Sequence, residues 1–193
     1  MVRIETGSSL IARYDEVIPP NICGSLVNYL RREVPNKDST EALPWLQSDN
    51  VPFVKMTNLP LQIVVNKDRF LFTQLVYEQY KTIVYPHFTD LVVWRKGMKM
   101  LFHKDDGYDG YDEQKFKPRK YSMVAYLNDD YAGGETVIRF KDGSEYVSVP
   151  KAGSVVIFKA NEECEHKVNE ILEGTRYTMA TWFATDINHC ELI

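Results

Sequence analysis

The 193-residue sequence predicts a mainly β fold of the α+β class, a double-sheet jelly roll or barrel with helices packed on one side. Three observations lead there. Helical periodicity is confined to the first half of the chain. After Pro86 the sequence breaks into about eight short runs rich in β-branched and aromatic residues. Gly, Asn and Asp punctuate those runs, as turns require.

In order, residues 20–34 open on Pro-Asn and place Ile22, Leu26, Val27 and Leu30 at helical spacing. Residues 35–60 hold four prolines and read as loop with short extended pieces. A second helix is expected over 67–85, with Phe70, Leu71, Leu75, Val76, Tyr80 and Val84 on one side. Strands follow at 90–96, 99–105, 120–128, 135–140, 145–150, 153–158, 166–171 and 176–184. Asp142-Gly143 between two of them is a hairpin signal. The polar stretch 104–120, rich in Gly and Tyr, suits a mobile loop beside a pocket. One domain over 1–193 is expected, with 1–90 as a helical and extended support and 91–185 as the β core.

Composition narrows the function classes. Lys and Arg total 23 against 27 Asp and Glu, a net charge of -4, which argues against a nucleic-acid partner. No stretch approaches the roughly 20 apolar residues of a membrane span, and the first residues lack the apolar core of a secretory signal. Cys23, Cys164 and Cys190 are odd in number and far apart, so free thiols in a cytoplasmic protein are expected.

The chemistry begins with His103-Lys104-Asp105. In an extended strand, residues two apart share a face, so His103 and Asp105 can project together toward a barrel mouth. His166 opens a later strand. Two imidazoles and one carboxylate form the facial triad of non-haem Fe(II) oxygenases, which leaves coordination sites open. Arg176 lies on the last strand, where Arg176, Thr178, Ala180 and Trp182 alternate onto one face and Tyr177, Met179, Thr181 and Phe183 onto the other. An Arg inside a small barrel needs an anionic partner, and guanidinium binds carboxylate in a planar, two-pronged way.

Four blocks carry a resemblance: WRKGMKMLFHKD, YLNDDYAGGETVIRF, PKAGSVVIFKANEECEHKV and GTRYTMATWF. From about residue 91 to 184 the chain resembles the prolyl 4-hydroxylase branch of the Fe(II)/2-oxoglutarate dioxygenases. The resemblance implies a double-stranded β-helix core. It implies that His103, Asp105 and His166 ligate Fe(II), that Arg176 anchors 2-oxoglutarate, and that Tyr126, Thr136 and Trp182 line or flank the co-substrate pocket. O2 is then the second co-substrate, with ascorbate a candidate reductant. Trp94 and Met100 stand where tyrosines are common, which changes the pocket lining but not the metal set. Asp105 argues against halogenating relatives, which lack that carboxylate.

The implied reaction is hydroxylation of a C–H bond, foremost of a prolyl residue in a peptide or protein, with decarboxylation of 2-oxoglutarate to succinate. A free amino acid, a lysyl side chain or another small metabolite is the alternative substrate. A non-catalytic cupin-like metal-binding jelly roll is a more distant one. Residues 104–120 are expected to form a lid, with Tyr108 and Tyr111 as substrate contacts and Gly107 and Gly110 as hinges. His87 and His189 are given no role.

Overall fold

A computed structural model describes residues 1–34, 49–107 and 113–192. The chain opens on β1 (Val2–Ile4) and β2 (Ile11–Asp15), which pair with each other. Helix α1 (Pro20–Glu33) is entered through Pro19 and Pro20, whose fixed φ suits a first turn. Its buried Cys23, Leu26, Val27 and Leu30 repeat at the helical period. β3 (Asp49–Pro52) is one of the extended pieces expected in the proline-rich segment.

Helix α2 (Leu59–Tyr80) starts earlier and stops sooner than the predicted 67–85. Pro60 reads as a loop signal but sits in the first turn, where its missing N–H costs nothing. Asn58 Oδ1 caps that turn by accepting from Leu61 N at 3.1 Å. Lys81 turns left-handed at φ 55° and ends the helix, so Tyr85 belongs to the next strand.

That strand is β4 (Tyr85–Arg95), followed by β5 (Met100–His103), a single helical turn α3 (Glu113–Phe116) and β6 (Tyr121–Tyr126). Then come β7 (Ala132–Gly133), β8 (Thr136–Phe140), β9 (Glu145–Ser148) and β10 (Val155–Lys159). β11 (Cys164–Val168), β12 (Ile171–Glu173) and β13 (Thr175–Ala184) complete the core. A seven-stranded sheet runs β1-β2-β10-β6-β13-β4-β3, a four-stranded sheet β5-β11-β8-β9, and β12 pairs β7. The described pairings are all antiparallel. The expected hairpin at Asp142-Gly143 joins β8 to β9, with Gly143 at φ 86°. β1 and β2 escape sequence reading because they are short, and all five residues of β2 are buried, which removes the alternation that marks a strand.

The two faces of the large sheet do different work. Tyr177, Met179 and Phe183 of β13 point under the helices, in one core with Leu26, Leu30, Phe72, Leu75 and Val76. Helices therefore cover one side, as the sequence predicts. Between the two sheets, Ile11, Tyr126, Ile138, Val156 and Phe158 fill one end. The other end is left open as a cavity of about 130 Å³.

Candidate active site

His103 ends β5 and His166 lies in the middle of β11, and the two are direct Cα partners across the small sheet. Their ring centroids are 4.2 Å apart. Asp105 sits just past β5, where its backbone N–H donates to Ala160 O at 2.9 Å. One donor atom from each of His103, Asp105 and His166 falls within 4.8 Å of the others. The carboxylate straddles the rings: Asp105 Oδ1 is 3.6 Å from His103 Nε2, and Oδ2 is 3.4 Å from His166 Nε2. These separations are long for direct hydrogen bonds and leave room for an ion between donors.

Second contacts orient the set. His103 Nδ1 lies 2.9 Å from Leu101 O, so its N–H donates there and turns the Nε2 lone pair toward the cluster. Ser122 Oγ donates to Asp105 Oδ2 at 2.6 Å. Burial raises the Asp105 carboxyl, but His166 and His103 outweigh it and hold the group well below the usual carboxylate range. Burial, reinforced by His103, lowers His166 to about 3, so it is a neutral imidazole at physiological pH. Burial also opposes charge on His103, but the Asp105 carboxylate wins and raises it. An anionic carboxylate flanked by imidazoles is a donor set that fits a borderline divalent cation such as Fe(II).

Arg176 occupies another part of the same wall, only 1% exposed. Its Nη2 donates to Thr136 Oγ1 at 3.0 Å and Nη1 to Thr178 Oγ1 at 3.5 Å, while Nε is buried with no partner. No carboxylate lies within ion-pair distance of it among the described residues. The guanidinium stands 5.4 Å from the Tyr126 ring centre and 5.6 Å from that of Trp94. A buried cation held only by hydroxyls and π faces fits an incoming carboxylate.

The alternation expected along β13 places Arg176, Thr178, Ala180 and Trp182 on the cavity wall, and Thr136 joins them. Tyr126 does not: it is fully buried behind Thr136, to which its hydroxyl donates at 2.9 Å. Tyr108, Tyr111 and Gly110 lie outside the described residues, as do residues 108–112 of the expected 104–120 lid. His87 and His189 meet each other, with His87 Nδ1 2.9 Å from His189 O.

Two buried charged residues escape sequence reading. Asp90 lines the cavity, its Oδ2 accepting from Asn50 Nδ2 at 2.8 Å. The alternation Asp90, Val92, Trp94 along β4 marks it, already within the strand expected at 90–96. Arg119 is buried and stacks 4.1 Å from the centre of the Trp182 ring and 4.4 Å from that of Phe116. Nothing in its polar sequence neighbourhood signals that burial.

Comparison with known proteins agrees with this geometry. Residues 87–184 match the model of the 2OG-Fe(II) oxygenase superfamily. Human (Homo sapiens) prolyl 3-hydroxylase 2 is 34% identical over 76 residues, 38% of this chain and 11% of that protein. The chain thus spans about a tenth of the length of the curated relatives it matches. Among solved structures, a Pseudomonas putida prolyl-4-hydroxylase aligns with a TM-score of 0.64 at 18% identity, over 93% of this chain and 95% of that one. A Trichoplax adhaerens prolyl hydroxylase in complex with a hypoxia inducible factor peptide fragment aligns with a TM-score of 0.72 at 9% identity, over 93% and 85%. Those likenesses establish the jelly-roll fold, and the family match covers half of the chain, with His103, Asp105, His166 and Arg176 inside it. The chain belongs to the 2OG-Fe(II) oxygenase superfamily.

Proposed function

We propose that this protein hydroxylates a C–H bond of a prolyl residue in a peptide, consuming 2-oxoglutarate and O2 and releasing succinate. One observation carries the reading: the buried Arg176 guanidinium, with its unpartnered Nε and no acidic neighbour in ion-pair range among the described residues, shares a cavity with the His103, Asp105, His166 cluster. A buried cation of this kind calls for an anion from outside. A dicarboxylate co-substrate answers that need.

His103, Asp105 and His166 would hold Fe(II), which supplies the oxidising power for the C–H bond once 2-oxoglutarate and O2 are present. The chain's own residues do the rest. Arg176, kept in plane by Thr136 and Thr178, binds the far carboxylate of the co-substrate. Tyr126 steadies Thr136 from behind. Ser122 aims Asp105, and Leu101 O fixes the His103 tautomer that presents Nε2. Val92, Trp94, Val168 and Trp182 form apolar wall that excludes water around the reacting carbon.

The prolyl assignment is supported by relatives named as prolyl 3-hydroxylases and by structural neighbours named as a prolyl-4-hydroxylase and prolyl hydroxylases. Tyr108 and Tyr111 as substrate contacts, and ascorbate as reductant, belong to the same proposal. Three free cysteines support a reducing, cytoplasmic setting, and no described helix is long and apolar enough to cross a membrane. A single unit with 91–185 as its catalytic core and 1–90 as its support completes the reading.

The test is succinate release with a proline-rich peptide, set against free proline and free lysine. Mass spectrometry of the peptide for one added oxygen, with fragmentation to place it on the ring, reports the position. Release stimulated only by the free amino acids would overturn the peptide reading.

A further inference from the structure

Helix α2 is apolar around most of its circumference. Its inner side enters the core through Val65, Phe72, Leu75 and Val76. On the outer side Leu59, Ile63, Phe70 and Tyr77 are 58, 56, 47 and 50% exposed, and Ile83, just past the helix end, is 67% exposed. Their spacing of four and seven residues lines them along one stripe. Large apolar residues scattered singly need no account, but a row of them repeated along one side of a helix marks an interaction surface.

Charge selects the occupant. Lys67 and Glu78 are both exposed and lie on the same flank of the stripe, three turns or about 16 Å apart. We propose that α2 packs antiparallel against α2 of a second copy of this chain, about a two-fold axis. Antiparallel helices set like flanks face to face, so Lys67 of each copy meets Glu78 of the other, twice per dimer. A parallel pair would set that flank against the uncharged Asn66 and Thr73. The register fixed by the two ion pairs drops Tyr77 of one copy between Ile63 and Phe70 of the other. Phe70 falls between Phe70 and Tyr77, and Ile63 comes beside Ile83. Each apolar side chain therefore enters a gap in the opposing stripe. A partner lacking this charge arrangement has no reason to choose that register.

The experiment is sedimentation equilibrium of the full chain over a range of concentrations, with circular dichroism to show that each variant is folded. A two-copy mass that grows with concentration is expected. Lys67→Glu turns both ion pairs into repulsions and weakens association about tenfold. Because Glu78 also neighbours Tyr14, the charge reversal is read as a pair: Lys67→Glu with Glu78→Lys restores association. Phe70→Glu yields single copies. A single-copy mass at every concentration overturns the proposal, as does a dimer untouched by Phe70→Glu or by Lys67→Glu. Should Phe70→Glu fail to fold, the two charge variants decide alone, and a folded double variant that stays weakened counts against the antiparallel register.

Discussion

Ser122 and Asp105 are joined by a 2.6 Å hydrogen bond that links the large sheet to the His103, Asp105, His166 cluster. Ser122 lies on β6 and Asp105 just beyond β5, so the serine sets which way the carboxylate faces the two imidazoles. Ser122→Ala is expected to weaken Fe(II) or Mn(II) binding about tenfold, because an outer hydrogen bond tunes a ligand without replacing it. His166→Ala, which removes a ligand, is expected to cost at least about 100-fold. Metal titration followed by calorimetry separates the two, and equal losses would contradict the ordering.

Arg176 is a charge buried without a counter-ion, so function and stability pull apart there. Arg176→Met is expected to raise the apo-protein's Tm by a few degrees, since replacing a buried charge with an apolar side chain of similar volume is often stabilising by about 1–4 kcal/mol. The same change should weaken 2-oxoglutarate binding by about 100-fold or more. Thermal melts and calorimetric titration of the metal-loaded variant check both halves.

Gly134 holds φ +68°, and a Cβ there would meet Ile171 Cδ1 at 2.3 Å and Arg176 Cδ at 3.1 Å. Gly134→Ala is therefore expected to destabilise the fold by about 2 kcal/mol and to push the Arg176 stem off its Thr136 contact. Weaker 2-oxoglutarate binding with metal affinity unchanged is the signature, read by titrating each in turn.

Asp68 on α2 is pushed up to about 6 by burial, against a nearby Lys67 that pulls it down. Its unfolded value is near 3.9. Stability from this group is complete below pH 4, where folded and unfolded chains are both protonated. It is lost as pH rises through 6, because the unfolded chain releases its proton first. With partial exposure screening the effect, the loss is about 1 kcal/mol. Asp68→Asn is expected to raise Tm at pH 7.5 and to flatten the slope between pH 4 and 6, as denaturation at a series of pH values would show.

Parity along a strand was the most readable feature of the site. Arg176 could be placed inward because residues two apart share a face, and the same rule joined Thr178, Ala180 and Trp182 to it. Asp90 obeys the rule too, sharing a face with Val92 and Trp94 on the strand expected at 90–96, but a lone carboxylate at a strand start reads as exposed. The facing of His103 and His166 was not readable, because register between distant strands is set by how two sheets close over a core. The resemblance implies both Tyr126 and Thr136 in the pocket lining; Thr136 lines the cavity and Tyr126 lies behind it. Local chemistry leaves its mark in the chain, while the depth of a side chain behind a wall is a property of packing.

The strand that carries His103 is at the edge of the four-stranded sheet and holds to β11 through only two Cα pairings, with a register shift between them. Edge segments of this kind open locally at little free-energy cost. A cation bridging His103 to His166 would therefore act as a rivet on the sheet's margin. Metal loss should appear first as faster amide exchange at Leu101–His103, well before the rest of the sheet loosens. Iron supply would then govern not only turnover but whether this margin is presented to proteases or to a neighbouring strand.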